Sequence, residues 1–177
     1  MKKILLSLII ILNFANINAQ NSFPKSWLGN YQGNLEIYAV DSVQMNVKMN
    51  LEIKKTVKDS VYQWVTTYHI KDKKDIRSYE LKVIDTQKGL FQIDEKNTIV
   101  IDAYYRMGIF TSFFEVQKTF IIATYTKEKD SIIFEIISGK KEPVSVTGGG
   151  ISDKKKIPEV TTYPVTGRQR AVLNKID

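Results

Sequence analysis

The chain has 177 residues with 26 Lys and Arg against 19 Asp and Glu, a formal charge of +7, one histidine and no cysteine. The missing cysteines exclude disulfide staples and a thiol nucleophile, and with a single histidine they exclude a zinc site of ordinary nitrogen and sulfur ligation. A chain of this size makes one domain, whose stability must come from an apolar core.

Residues 1–19 read as a secretory signal peptide. Lys2 and Lys3 form a basic start, Ile4 to Leu12 an apolar run broken by Ser7, and Ile17-Asn18-Ala19 a cleavage site with a small final residue. The run is too short to cross a bilayer. With no cysteine behind it, lipid attachment of the usual lipoprotein kind is excluded. The expectation is a soluble exported monomer, periplasmic or extracellular, with no transmembrane segment.

After Tyr31–Val40, the segment Val43–Ile53 alternates without a break. Val43, Met45, Val47, Met49, Leu51 and Ile53 are apolar, and every residue between them is polar. Only a period of two does this, so the segment is a strand with one face in a core and one in water. Val61–Ile70 places Tyr62, Trp64 and Tyr68 on one face, and Ile76–Asp85 places Tyr79, Leu81 and Val83 together, with Lys71–Asp75 as the connecting loop. Phe91–Ile93 and Thr98–Arg106 flank the turn Asp94-Glu95-Lys96-Asn97. Ile109–Lys118, Phe120–Thr126 and Ser131–Ile137 follow, the last two joined by Lys127-Glu128-Lys129-Asp130.

No segment behind the signal carries a helical stripe. Parallel sheets need crossovers, so the sheet is antiparallel. About nine strands in a meander leave two open edges, and closure into a barrel removes them. The expected fold is all-β: an antiparallel up-and-down barrel of about eight to ten strands over residues 20–138. Beyond Ile137, Gly148-Gly149-Gly150, Lys154 to Lys156, Pro158 and Pro164 break regular structure. Residues 139–177 are therefore expected as an extended arm packed on the barrel, with a final strand possible near Val160 to Leu173, and this arm is a candidate contact for an envelope macromolecule.

The lysines fall mostly between apolar segments, at 54–55, 71–74, 140–141 and 154–156, rather than interleaved with aromatics on one face. That is the pattern of solvated turns, and no nucleic-acid partner is expected. Asp102, Glu115 and Glu135 take outward parity and Asp94-Glu95 a turn, so no pair of carboxylates is placed for acid–base work. His69 shares parity with Gln63, Val65 and Thr67, opposite the aromatic face, which points it outward and away from any triad. The three glycines lack the lysine and hydroxyl residue of a phosphate loop. Neither an enzyme nor a cofactor is expected.

The stretch Leu28-Gly29-Asn30-Tyr31-Gln32-Gly33-Asn34-Leu35-Glu36 resembles the opening of calycin barrels, the lipocalin, fatty-acid-binding and nitrobindin-like group, with tyrosine in the place of the usual tryptophan. Gly33 is most similar to the nitrobindin pattern. The resemblance implies a barrel that binds a small apolar molecule, with a late basic residue, Arg168 or Arg170, packed across the first aromatic ring. It also implies haem held by a histidine late in the chain, whereas the sole histidine, His69, sits in the third strand.

Taking apolar parity as inward, the inner face holds Met45, Met49, Trp64, Tyr68, Tyr79, Leu81, Phe91, Ile93, Phe110, Phe114, Phe120 and Phe134, with Thr66, Ser112 and Thr124 among them. Such a set suits an apolar ligand cavity or a solid core. Arg77 is the one cation on this face, near a strand end. The resemblance to carriers of carboxylated lipids implies Arg77 as a head-group anchor, with Trp64, Tyr68, Tyr79 and Phe114 lining the apolar part. The alternative at that position is an arginine reaching water or pairing with Asp75. The function expected is a non-enzymatic carrier of a fatty or aromatic ligand, and the alternative is an envelope structural or interaction protein with a filled barrel.

Overall fold

The computed structural model describes residues 23–176, and the expected signal peptide lies outside them. Nine strands run in a meander: β1 (Gly29–Tyr38), β2 (Val43–Lys55), β3 (Val61–Ile70), β4 (Lys73–Asp85), β5 (Leu90–Asp94), β6 (Val100–Arg106), β7 (Ile109–Val116), β8 (Thr119–Glu128) and β9 (Ser131–Lys140). Four short strands follow, β10 (Ser145–Thr147), β11 (Ile151–Ser152), β12 (Lys155–Lys156) and β13 (Val160–Thr162), then β14 (Val165–Lys175). β14 inserts between β9 and β1 and closes an all-antiparallel barrel of ten strands.

The expected barrel end at residue 138 and the arm over 139–177 therefore need correcting. Val165–Lys175 is a full barrel strand, and only the residues between β9 and β14 leave the wall. That excursion touches the barrel at its base, where Tyr163 meets Phe120 and Lys141 pairs with Glu115. β10 pairs with β13 and β11 with β12, forming a projecting two-stranded ribbon whose residues 141–163 are all exposed. Glycine and proline content reads as an arm, but it does not distinguish an arm from a long hairpin between two paired strands.

The turns are shorter than their charged residues suggest. Lys71-Asp72 alone joins β3 to β4, and Lys129-Asp130 alone joins β8 to β9. Met107-Gly108, Gln117-Lys118 and Asp153-Lys154 each have positive φ at both positions, the backbone that matches the twist of a two-residue hairpin. At the closing seam, a side chain on Gly33 would stand 2.0 Å from the Val172 carbonyl oxygen, so only glycine lets β14 approach β1 this closely.

Odd residues of β2 and even residues of β3 point inward. Met49, Leu51, Ile53, Tyr62, Trp64 and Thr66 are buried there, beside Leu81, Phe91, Phe110, Ile132, Phe134 and Leu173. The lower end, where the β2–β3, β4–β5, β6–β7 and β8–β9 turns lie, is plugged by the short 3-10 helix Lys25–Trp27. Trp27 is 1% exposed, and the Tyr31 hydroxyl donates to its carbonyl oxygen at 2.9 Å. Phe23 stacks on Tyr105 with centroids 4.6 Å apart and meets Phe91 and Phe110 edge-on or tilted. Rings so arranged contribute beyond their buried area.

Lys127 lies across the Tyr31 ring, 4.8 Å from its centroid, where Arg168 or Arg170 was expected. The correction follows from parity: Ala171 and Leu173 are buried, which turns the even positions of β14 outward. Arg168 and Arg170 instead approach Glu135 on the outer wall. Burial and the neighbouring Lys175 depress the Lys127 ammonium below its ordinary range.

Candidate functional site

The upper half of the interior contains a cavity of about 180 Å³. Trp64 on β3 forms its floor, packing downward on Trp27 at 6.4 Å. Tyr68, Arg77 and Tyr79 line the side where β3 meets β4, and Phe114, Ile121 and Ile136 line the side formed by β7, β8 and β9. All five residues expected around an inner site, Trp64, Tyr68, Arg77, Tyr79 and Phe114, thus border one space. Period two brings them there: Trp64 pairs with Tyr79, and Thr66 with Arg77, across the β3–β4 register.

Small side chains leave the room. Thr66, Ser112 and Ala123 occupy wall positions that large residues take elsewhere. Tyr125, which parity reasoning passed over, is enclosed at the centre. Its ring meets Trp64 edge-on at 5.0 Å and Phe134, tilted, at 4.6 Å. Burial pushes its phenol well above the usual tyrosine range. Burial also pushes Tyr68 up to about 12 against the opposing pull of Arg77, and raises Tyr79 with a further push from Glu95. The cavity therefore offers three neutral phenols, two small hydroxyls and aromatic faces, a donor-rich apolar lining.

Arg77 stands at the mouth. Its Nη2 lies 3.1 Å from Asp75 Oδ2, its Nε 3.2 Å from the same oxygen, and its guanidinium carbon 5.0 Å from the Tyr68 centroid. The side chain is half exposed, so the pairing with Asp75 foreseen as the alternative is realised while the arginine still borders the opening. Glu95, on the turn after β5, faces the same opening.

β8 corrects the inner-face assignment. Phe120 and Thr124 were expected inside, but the inward set is Ile121, Ala123 and Tyr125. In the run Phe120-Ile121-Ile122-Ala123 both parities are apolar, so alternation gives no direction. Met45 was also expected inside and is half exposed, because the upper end of β2 extends past the packed interior. The signal that separates the faces of β8 is Lys127 two positions beyond Tyr125, a cation that shares the inner parity only where it reaches the lower end.

His69 lies on the outer wall with Nε2 3.0 Å from Asn50 Oδ1, away from the cavity. A haem bound inside through this histidine is incompatible with that orientation. Asp102, Glu115 and Glu135 are outside as their parity indicates. Glu115 pairs with Lys141 at 2.7 Å and Asp102 accepts from Gln92 at 2.9 Å. Among the described residues no group of three His, Asp or Glu is placed to hold a metal ion, and no helix is long and apolar enough to cross a membrane.

The architecture is a closed ten-stranded antiparallel up-and-down barrel with an inner cavity at one end, compatible with a calycin-like fold. Neither a scan of protein-family models nor a search of curated proteins returns a match to the chain.

Proposed function

We propose that the protein is an exported, non-enzymatic carrier of the lipocalin-like kind, binding a compact ring-containing apolar molecule in the upper half of the barrel. The carrying observation is the cavity of about 180 Å³ bordered by Trp64, Tyr68, Tyr79 and Phe114, with hydroxyls spaced along it and an opening at Arg77. The volume favours one of the two ligand classes the sequence leaves open. An engineered cavity of about 150 Å³ takes benzene, whereas pockets for larger ligands run to about 300–1,000 Å³. A single ring with a short substituent fits, and an extended fatty chain does not.

Arg77 then acts at the rim. An acid substituent displaces Asp75 as its partner, and because the site is half exposed the exchange is worth less than a buried charged hydrogen bond. Isothermal titration with phenylacetate, 2-phenylethanol and palmitate tests the reading. We expect the two ring compounds to bind and palmitate not to. Arg77→Leu should weaken phenylacetate by about 1 kcal/mol and leave the alcohol unchanged. Binding of none of the ring compounds, together with a protein that carries no extractable molecule, would overturn the carrier reading.

The alternative is an interaction protein acting through its projecting ribbon, which is favoured by the exposure of residues 141–163. Its test is deletion within 142–163 with a short linker. Truncation at 139 is unsuitable, because it removes the closing strand. Loss of a binding activity with the cavity intact would favour the ribbon.

A further inference from the structure

The outer wall is not uniform. Across β2 to β5 its outward positions carry Lys48, Asn50, Glu52, Lys74, Glu80 and Lys82, with Ile76 exposed singly among them. Across β7 to β9 the register aligns Phe113, Ile122 and Ile137 in one lateral row, with Phe113 65% exposed and the other two about two-fifths exposed. Above that row Phe120 bridges outward, 5.8 Å from the Phe113 centroid and 5.4 Å from that of Tyr163 at the base of the ribbon. Val165, beside this ladder at the start of β14, is also exposed. The ladder climbs the barrel at the end where the cavity opens.

Cations outnumber carboxylates around it: Lys118, Lys140, Lys141, Arg168 and Arg170 stand among Glu115, Glu135 and Glu142, with Lys141 paired to Glu115 and Arg168 to Glu135. Lys118 in the β7–β8 turn and Lys140 at the end of β9 form no ion pair among the described residues, and the backbone hydrogen bond from Lys141 to Lys118 holds the two strand ends together. Arg168 continues the apolar row in register beyond Ile137. The surface is convex, being the outside of a barrel and the foot of a projecting ribbon. Lysine is depleted at the buried centres of protein interfaces, while aromatic side chains beside lysines suit the headgroup layer of a bilayer.

We infer that this aromatic ladder with its lysine collar is a docking surface for an anionic lipid bilayer, holding the cavity mouth toward the membrane without crossing it. A spanning role is at odds with the interior, which is apolar where a membrane-spanning barrel is polar. Attraction follows the headgroup charge and is screened by salt, and the rings supply the part that salt does not remove. The inference is independent of what the cavity holds.

Co-sedimentation with vesicles tests it. The protein should pellet with vesicles of equal parts phosphatidylglycerol and phosphatidylcholine, pellet poorly with phosphatidylcholine alone, and lose binding as salt rises. Phe113→Ser, outward and exposed, should keep the circular dichroism spectrum and lower partitioning about tenfold. Lys118→Gln with Lys140→Gln should lower it about thirtyfold, whereas Lys48→Gln with Lys74→Gln on the opposite wall, an equal change in charge, should not. No binding to the anionic vesicles, an unchanged Phe113→Ser, or equal losses for the two lysine pairs would each overturn the inference, as would a surface that captures only a protein.

Discussion

The lower and upper halves of this barrel are built from the same alternating strands, and one is solid while the other is hollow. Below, Phe23, Trp27, Phe91, Tyr105 and Phe110 meet ring on ring, and the plugging 3-10 helix seals the end. Above Trp64, Thr66, Ser112 and Ala123 are too small to meet across the interior, and a cavity remains. Alternation decides which residues face inward, but the volumes of the facing residues decide whether anything is left between them.

The comparison predicts how substitutions divide. The largest effect is expected at Met49, which is 0% exposed. Met49→Asp should abolish folding, since an unpaired buried carboxylate costs several kcal/mol against a total stability of about 5–15 kcal/mol. Asn50→Asp, on the outer face beside His69 and Gln32, should fold normally, and a urea titration of both variants checks the pair. Trp27→Ala removes the plug and should cost about 3–5 kcal/mol, with chemical denaturation as the measurement.

The sharpest contrast uses one substitution in both halves. Ala103 is 0% exposed in the filled layer beside Phe91, so Ala103→Leu should cost about 1–3 kcal/mol through overpacking. Ala123→Leu extends into the cavity, so it should change stability by less than about 1 kcal/mol while displacing a ring-sized ligand. Equal costs in thermal unfolding would mean that the upper half is as full as the lower.

The smallest effect is invisible at neutral pH. Tyr68 ionises near 10.0 as a free side chain and is pushed up to about 12 in the fold, so the folded state favours the neutral phenol. That contribution is complete below pH 10 and falls away as pH rises through 12. Denaturation midpoints measured across this window should decline, and Tyr68→Phe should flatten the decline without moving the midpoint at pH 7.

These contrasts also mark what could be read from the residues. The unbroken alternation of Val43–Ile53 specifies its strand and its inner face, and the same rule places Trp64, Tyr68, Arg77, Tyr79 and Phe114 around one space. β8 escaped because Phe120-Ile121-Ile122-Ala123 is apolar on both faces: an exposed aromatic row outside and the cavity wall inside compete for the same signal. Tyr125, the most enclosed phenol of the cavity, was lost with it. Trp27 escaped for another reason, since a plug across a barrel end obeys no strand period. The closing strand was obscured by its surroundings, because the ribbon residues separating β9 from β14 carry the glycines and prolines of a tail.

The position of β14 bears on how the chain reaches its final shape. Its neighbours are β9, reached through the ribbon, and β1, the first strand made, so the β1–β14 pairing joins residues from opposite ends of the domain. Contacts so remote in sequence form slowly, because a long loop must close before any of them is rewarded. Until β14 arrives, β1 and β9 each present an unpaired edge to any other chain nearby. The interval between synthesis of Lys140 and docking of Val165–Lys175 is thus the window in which self-association competes with folding, and its duration is governed by how quickly the ribbon doubles back.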